Sequence, residues 1–368
     1  MGTAFLTLLT IVLTRPVRLV DKNESGHPAY RLWPTFTLAI ICHQTQLSTQ
    51  ERHALTGYAQ PMTYPRSHLV DPDGGVYHVC SRCVRRAFLC GTDHQTGYDF
   101  NHRRQWIEDR ILDLAAVFTI EIYGFAVMSN HYHIVLCVNP REVDGWTDKE
   151  VTDRWFSLNT RKNETEITRQ LRQMALLENQ ERLQVIRHRL SSLSWFMRYL
   201  NEPLARLANK EDSCKGRFWE GRFKSQRLLD ETAILACMIY VDLNPVRAGI
   251  TDDVTQAEHT SLAKRIADKR QAGDLPLYPI NRPGASLPFH FTLDRYIQLA
   301  IWTMDAQRSK RPTKSRFRGV PPADIWIGLF LPKPGSWQRA LGSVQSIKDY
   351  ASDIGQCWIQ SRSPSLLV

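Results

Sequence analysis

The stretch from Val76 to Val138 limits the fold more than any other part of the chain. Val76-Tyr-His-Val-Cys80 is a β-branched and aromatic run that follows an Asp-Pro-Asp-Gly-Gly turn, the pattern of a strand. His102 to Phe118 then sets Ile107, Ile111, Leu114, Ala115 and Phe118 on one helical face, with Arg103, Arg104, Glu108 and Asp109 outside that stripe. Ile120 to Met128 is apolar and aromatic, Ser129-Asn130 suits a tight turn, and His133 to Val138 returns as a second strand. Strands joined by so short a turn run antiparallel. The order strand, helix, strand, strand predicts an α+β fold in which helices pack on a mainly antiparallel sheet.

The flanking regions read differently. Residues 1–61 lack this patterning, and regular elements begin only after Met62, so 1–61 form an extension and translation is expected to start at Met62. The apolar run Ala4–Thr14 falls well short of the roughly 20 residues a membrane span needs. No Lys or Arg precedes it, as one would before a signal-peptide core. The main domain spans 62–255, with a polar insertion near 139–180 that holds some helix. Leu183, Ile186, Leu190, Leu193, Met197, Leu200, Leu204 and Leu207 recur at spacings of three and four. They predict a long helix that buries one side in its own core or against a second copy. Pro203 predicts a kink or restart near Asn201.

Lys215–Gln226 alternates and carries two glycines, which predicts a strand with Arg217, Trp219 and Phe223 on one face. Asp230 stands where it would cap a helix through Ile234, Cys237, Met238 and Val241, stopped at Asn244-Pro245. Beyond residue 255 the pattern weakens, and 256–368 read as a helical C-terminal extension with a basic loop at Ser309–Gly319.

Lys and Arg total 47 against 37 Asp and Glu, a formal net charge of +10, which favours a polyanionic partner. Hydrophobic residues at 43% and charged residues at 23% exclude a disordered or collagen-like chain. Eight cysteines without regular spacing suit a reducing cytosol, so a cytoplasmic location is expected. No phosphate-binding glycine loop and no Gly-x-Ser-x-Gly elbow occurs.

Two segments point to chemistry. On a strand, His131 and His133 project from the same face, and two neutral imidazoles there suit a divalent cation completed by a third side chain and water. A pair of exposed strand histidines is the plainer alternative. In 215–226, arginines and lysines suit phosphates, and Phe218, Trp219 and Phe223 suit stacking on unpaired bases. A half-buried edge strand is the alternative there. Cys80-Ser-Arg-Cys83 has no second Cys-x-x-Cys, so neither zinc nor redox chemistry is expected.

Four motifs stand in a telling order: Tyr77-His-Val-x-Ser-Arg82, Tyr123-Gly-Phe-Ala-Val-Met-Ser-Asn-His-Tyr-His133, Gly216-Arg-Phe-Trp-Glu-Gly-Arg-Phe-Lys-Ser225 and Tyr240-Val-Asp-Leu-Asn-Pro-Val-Arg-Ala-Gly249. Across residues 62–265 the chain resembles insertion-sequence transposases that act on single-stranded DNA, in particular the REP-associated tyrosine transposases of the HUH class. The resemblance implies a ferredoxin-like α+β palm, Mg²⁺ or Mn²⁺ held by His131 and His133 with Asn209 as third ligand, and single-stranded or hairpin DNA as partner. Arg82, Arg85, Arg217, Trp219, Arg222 and Lys224 become the expected DNA contacts. The implied function is DNA transposition by a mobile element, with strand cleavage and transfer through a phosphotyrosine, and a homodimer is open because the broader class includes dimers.

One departure matters. The family nucleophile lies in a run like Tyr-x-Arg-x-x-Asn, and the matching stretch here is Leu204-Ala-Arg-Leu-Ala-Asn209. Tyr199 precedes Leu204 by five residues, about 500° of helix rotation and about 7.5 Å of rise. Tyr240 is the other candidate nucleophile. Three readings follow: an active enzyme using Tyr199 or Tyr240, an inactive DNA-binding derivative, or a phosphodiesterase in which water replaces tyrosine.

Overall fold

A pair of glycines opens the first strand. Gly74 and Gly75 both have positive φ, at 87° and 122°. A Cβ on Gly74 would lie 2.2 Å from the Val138 carbonyl oxygen, and one on Gly75 would collide with the Arg227 guanidinium, so only glycine fits here. The computed structural model describes residues 72–84, 89–92, 97–272, 277–285, 287–309, 317, 337–357, 359 and 361–362. The expected extension 1–61, Arg85 and most of the basic loop lie outside the described residues.

The elements in chain order are β1 (Gly75–Arg82), α1 (His102–Val117), β2 (Ile120–Val127), β3 (His131–Val138), α2 (Asp148–Leu158), α3 (Glu166–Leu177), α4 (Gln180–Leu190), α5 (Leu193–Glu211), β4 (Lys224–Leu228), α6 (Glu231–Asp242), α7 (Asn244–Arg247), α8 (Ser261–Ala272), α9 (Leu293–Ser309), β5 (Ala340–Leu341), α10 (Val344–Asp353) and β6 (Ser361–Arg362). Their sheet has the order β2-β3-β1-β4-β5-β6. The first four strands pair antiparallel, whereas β4–β5 and β5–β6 are parallel. The fold is α+β as expected. Its sheet is mixed rather than purely antiparallel because two short strands from beyond residue 255 join its edge.

Strand periodicity sorts the side chains into two cores. Tyr77 and Val79 of β1, with Tyr132, Ile134 and Leu136 of β3, pack against Ile111 and Leu114 of α1 and Phe196 and Leu200 of α5. Val76 and Val135 face the other way, onto Cys237, Met238 and Val241 of α6 and, behind it, Leu299 and Trp302 of α9. The Asp242 carboxylate joins the layers of this second core. It accepts from Ser261 Oγ at 2.6 Å, from the Leu262 amide at 3.1 Å and from Tyr296 Oη at 2.6 Å. Asp230 caps α6 through the Ala233 amide at 2.9 Å, as its position predicts, and its second oxygen accepts from the Ser343 amide at 2.6 Å.

Three local expectations are corrected. The stripe at 183–207 is two helices, α4 and α5, divided at Ser191-Ser192 rather than near Asn201. Pro203 stays inside α5 because Arg110 Nε donates to the Tyr199 carbonyl at 3.3 Å, serving the acceptor that the missing proline N–H leaves without its helical donor. The apolar stripe itself is spent within this chain: Leu183 through Leu204 are buried, and only Leu207 is exposed. Residues 215–223 are irregular, and the strand begins only at Lys224, since Gly216 takes φ 104° and breaks the alternation. The insertion is more helical than its polarity suggests. Thr147 and Glu150 form a capping box at the start of α2, a Thr-x-x-Glu signal legible in the sequence. Among the described residues no helix is long and apolar enough to cross a membrane.

Candidate functional site

Register builds the site. Cys80 pairs with His133 and Arg82 with His131 across β1 and β3, while Lys224 and Gln226 of β4 pair with Cys80 and His78. His78, His131 and His133, with Gln226 and Lys224, therefore converge on the α6 face of the sheet. The His131 and His133 rings stand edge to face, with centroids 4.9 Å apart. His78 stacks on His133 at 5.0 Å. Tyr240 of α6 meets both, edge-on, at 5.7 Å from His133 and 5.9 Å from His78. Trp337, from the region past residue 255, lies over His78 at 5.4 Å.

The hydrogen bonds fix the tautomers. Gln226 Nε2 donates to the Gln338 carbonyl at 3.0 Å, which turns Oε1 toward His78 Nδ1, 3.4 Å away. His78 Nδ1 must then carry the proton, so Nε2 accepts from His133 Nδ1 at 2.9 Å. His133 is left with Nε2 as its lone-pair nitrogen. His131 Nδ1 bonds Asn130 Oδ1, an acceptor, so its lone pair also falls on Nε2. This is the outer support expected around metal-binding imidazoles, whose second nitrogen is anchored.

Burial keeps these rings neutral. It pushes His78 down to about 4, against a weaker opposing pull from Gln226. Burial, helped by Arg82, takes His131 to about 4. His133 is held well below the usual histidine range by burial and by its two neighbouring histidines, with Arg82 and Arg247 adding to the effect. Burial raises the Tyr240 phenol, while Arg247 pulls it back, and that guanidinium sits 5.0 Å over the ring. Neutral imidazoles are the ligating form, and the cations around them favour an anionic ligand.

The structure separates several residues that the sequence reading grouped. Tyr199 lies on the opposite layer, with its hydroxyl donating to Asn159 Oδ1 at 2.8 Å among Trp155, Trp195 and Phe118. Leu204 is buried in that same layer. Asn209 belongs to α5 and donates to the Gly216 carbonyl at 3.0 Å. Trp219 donates its indole N–H to the Asn201 carbonyl at 2.9 Å and packs edge-on against Tyr132, so it is anchored on the α5 layer rather than offered for stacking. Arg217 and Arg222 are exposed in the irregular segment. Arg82 and Lys224 reach the histidine face. His78, Gln226 and Arg247 were given no role in the sequence reading, although His78 and Arg247 stand inside two of the four motifs and Gln226 ends the basic segment.

Among the described residues no group of three or more His, Cys, Asp or Glu side chains is arranged to hold a metal ion. The two Nε2 lone pairs of His131 and His133 still fit a divalent cation that takes its remaining ligands from water and from substrate oxygens. Neither a family model nor a curated protein matches the sequence. One solved structure, of a REP-associated tyrosine transposase bound to a REP hairpin, aligns over 62% of this chain and 95% of its own, at 14% identity and a TM-score of 0.34. A likeness that loose fixes neither the fold nor the activity of this chain.

Proposed function

We propose that this chain is a transposase-type protein that binds single-stranded or hairpin DNA and transfers a strand through a phosphotyrosine formed at Tyr240. The observation that carries the reading is the seating of Tyr240 against His133, at 5.7 Å between ring centroids, on the face where His131 stands beside it. The resemblance of the four sequence motifs supports the same substrate class. Of the two candidate nucleophiles, Tyr240 is preferred, because Tyr199 packs with the other layer, among Trp155, Trp195 and Phe118.

In the proposed step the Tyr240 oxygen bonds to phosphorus and its proton passes to water. The bond from phosphorus to the 3′ oxygen breaks, and that oxygen takes up a proton. The DNA 5′ end stays on the tyrosine, and a 3′-hydroxyl can reverse the exchange. His131 and His133 would hold Mg²⁺ or Mn²⁺, which when bound draws charge from the scissile phosphate. Arg82, Lys224 and Arg247 would hold neighbouring phosphates.

Leu204, buried at 5% exposure where the family places tyrosine, favours a second reading: a DNA-binding derivative without cleavage. Labelled hairpin DNA with Mn²⁺ distinguishes the two. A covalent adduct lost in Tyr240→Phe and kept in Tyr199→Phe is expected. Binding without scission would leave only the second reading, and scission without an adduct would shift the nucleophile to water. Calorimetric manganese uptake by the wild type that disappears in His131→Ala tests the cation directly.

A further inference from the structure

A second concentration of positive charge lies on the other side of the sheet. The helices α1 to α5 enclose a cleft of about 520 Å³ lined by six arginines and a single carboxylate, Glu202. Glu202 is already shared between Arg198 Nε at 3.3 Å and Arg206 Nη2 at 3.7 Å. Arg161 and Arg182 make no ion pair among the described residues. Arg172 is paired with Glu164, and the exposed cations that remain give the cleft a positive potential that attracts an anion.

The floor is aromatic. Trp155, Trp195 and Tyr199 pack together with centroids 6.2–6.5 Å apart. The guanidiniums of Arg189 and Arg198 lie over Trp195 at 4.5 and 5.0 Å. An apolar floor lowers the local dielectric and strengthens any ion contact made above it. Every cation lining the cleft is arginine, the side chain whose planar fork matches phosphate oxygens two at a time.

We propose that this cleft binds the phosphodiester backbone of a nucleic-acid strand, as a site separate from the histidine face. The site rests on the reading of the chain as a DNA-binding protein but not on cleavage or on a metal. Arg161 and Arg182 grip successive phosphates, with the stacked Arg198 beside them. The strand therefore has purchase on both sides of the sheet.

The test uses the full chain, a labelled sixteen-nucleotide thymidine oligomer and inorganic pyrophosphate. Anisotropy across a salt titration should show about tenfold weaker binding for the Arg161→Ala/Arg182→Ala pair. Its log–log salt slope should be shallower by about 1.4, the change expected when two phosphates of a single strand are no longer neutralised. Hydrogen exchange should show the oligomer protecting peptides that cover 155–172 and 182–198. Both arginines are exposed, so the thermal midpoint of the double variant should match the wild type. Protection confined to peptides around 131–133 and 222–226 would overturn the cleft while leaving the histidine face as the DNA site. Protection of those peptides by pyrophosphate but not by the oligomer would overturn the strand assignment, and so would an unchanged affinity and slope. Scission of hairpin DNA by the double variant would show that any loss belongs to the cleft and not to Tyr240.

Discussion

The two faces of one sheet follow different rules. On the α5 side, β1 and β3 bury Tyr77, Val79, Ile134 and Leu136 among aliphatic and aromatic helix residues, and the polar groups there serve the packing. Tyr132 Oη donates to Asn201 Oδ1 at 2.6 Å, and Asn201 Nδ2 donates to Ser81 Oγ at 3.1 Å, which pins α5 to the sheet. On the α6 side the same two strands bury His78, Cys80 and His133, with Gln226 beside them. Burying such groups costs stability even when they are hydrogen-bonded. The difference teaches that both faces bury an apolar core but only one spends burial on imidazoles, the groups on which the proposed chemistry rests, while the outer rim of the other carries the arginine cleft.

The largest effect belongs to the packing face. Phe196 is fully buried, and Phe196→Ala should lower stability by about 3–5 kcal/mol in chemical denaturation. A loss under about 1 kcal/mol would mean that this core does not carry the fold. Acid should single out the other face. A histidine whose folded value lies below its unfolded value of about 6.5 contributes stability that is present above that pH and lost as pH falls toward the folded value. His78, at about 4 when folded, should therefore account for up to about 3 kcal/mol lost between about pH 6.5 and 4. The denaturation midpoint should fall through that window and fall less steeply in His78→Gln; parallel profiles would break the contrast between the faces.

Tyr132→Phe comes next. It removes the donor to Asn201 without opening a cavity, so about 1–3 kcal/mol should be lost, read by thermal melting with manganese uptake intact. Smallest is the Glu202 pairing at the cleft rim. Arg198 and Arg206 are exposed partners at i,i+4 spacing, so replacing either by Ala should change stability by no more than about 0.5 kcal/mol. A larger loss would make the cleft a structural element of the fold rather than a binding surface.

Much of this was legible in the chain itself. Apolar, β-branched and aromatic runs bounded by turn residues placed β1, β2 and β3, the stripe through Ile107 and Leu114 placed α1, and Asp230 announced α6, because such runs, helix periods and caps are local properties. Alternation also put His131 and His133 on one face. What the sequence could not supply was pairing. The register that sets Cys80 opposite His133 and Gln226 opposite His78 depends on contacts between segments far apart in the chain, and so does the arrival of Trp337 over His78. The side of the sheet each helix covers is decided the same way. It turned Tyr199 away from the histidines and brought Tyr240 to them, because a helix's apolar stripe states that it must be buried but not against which face.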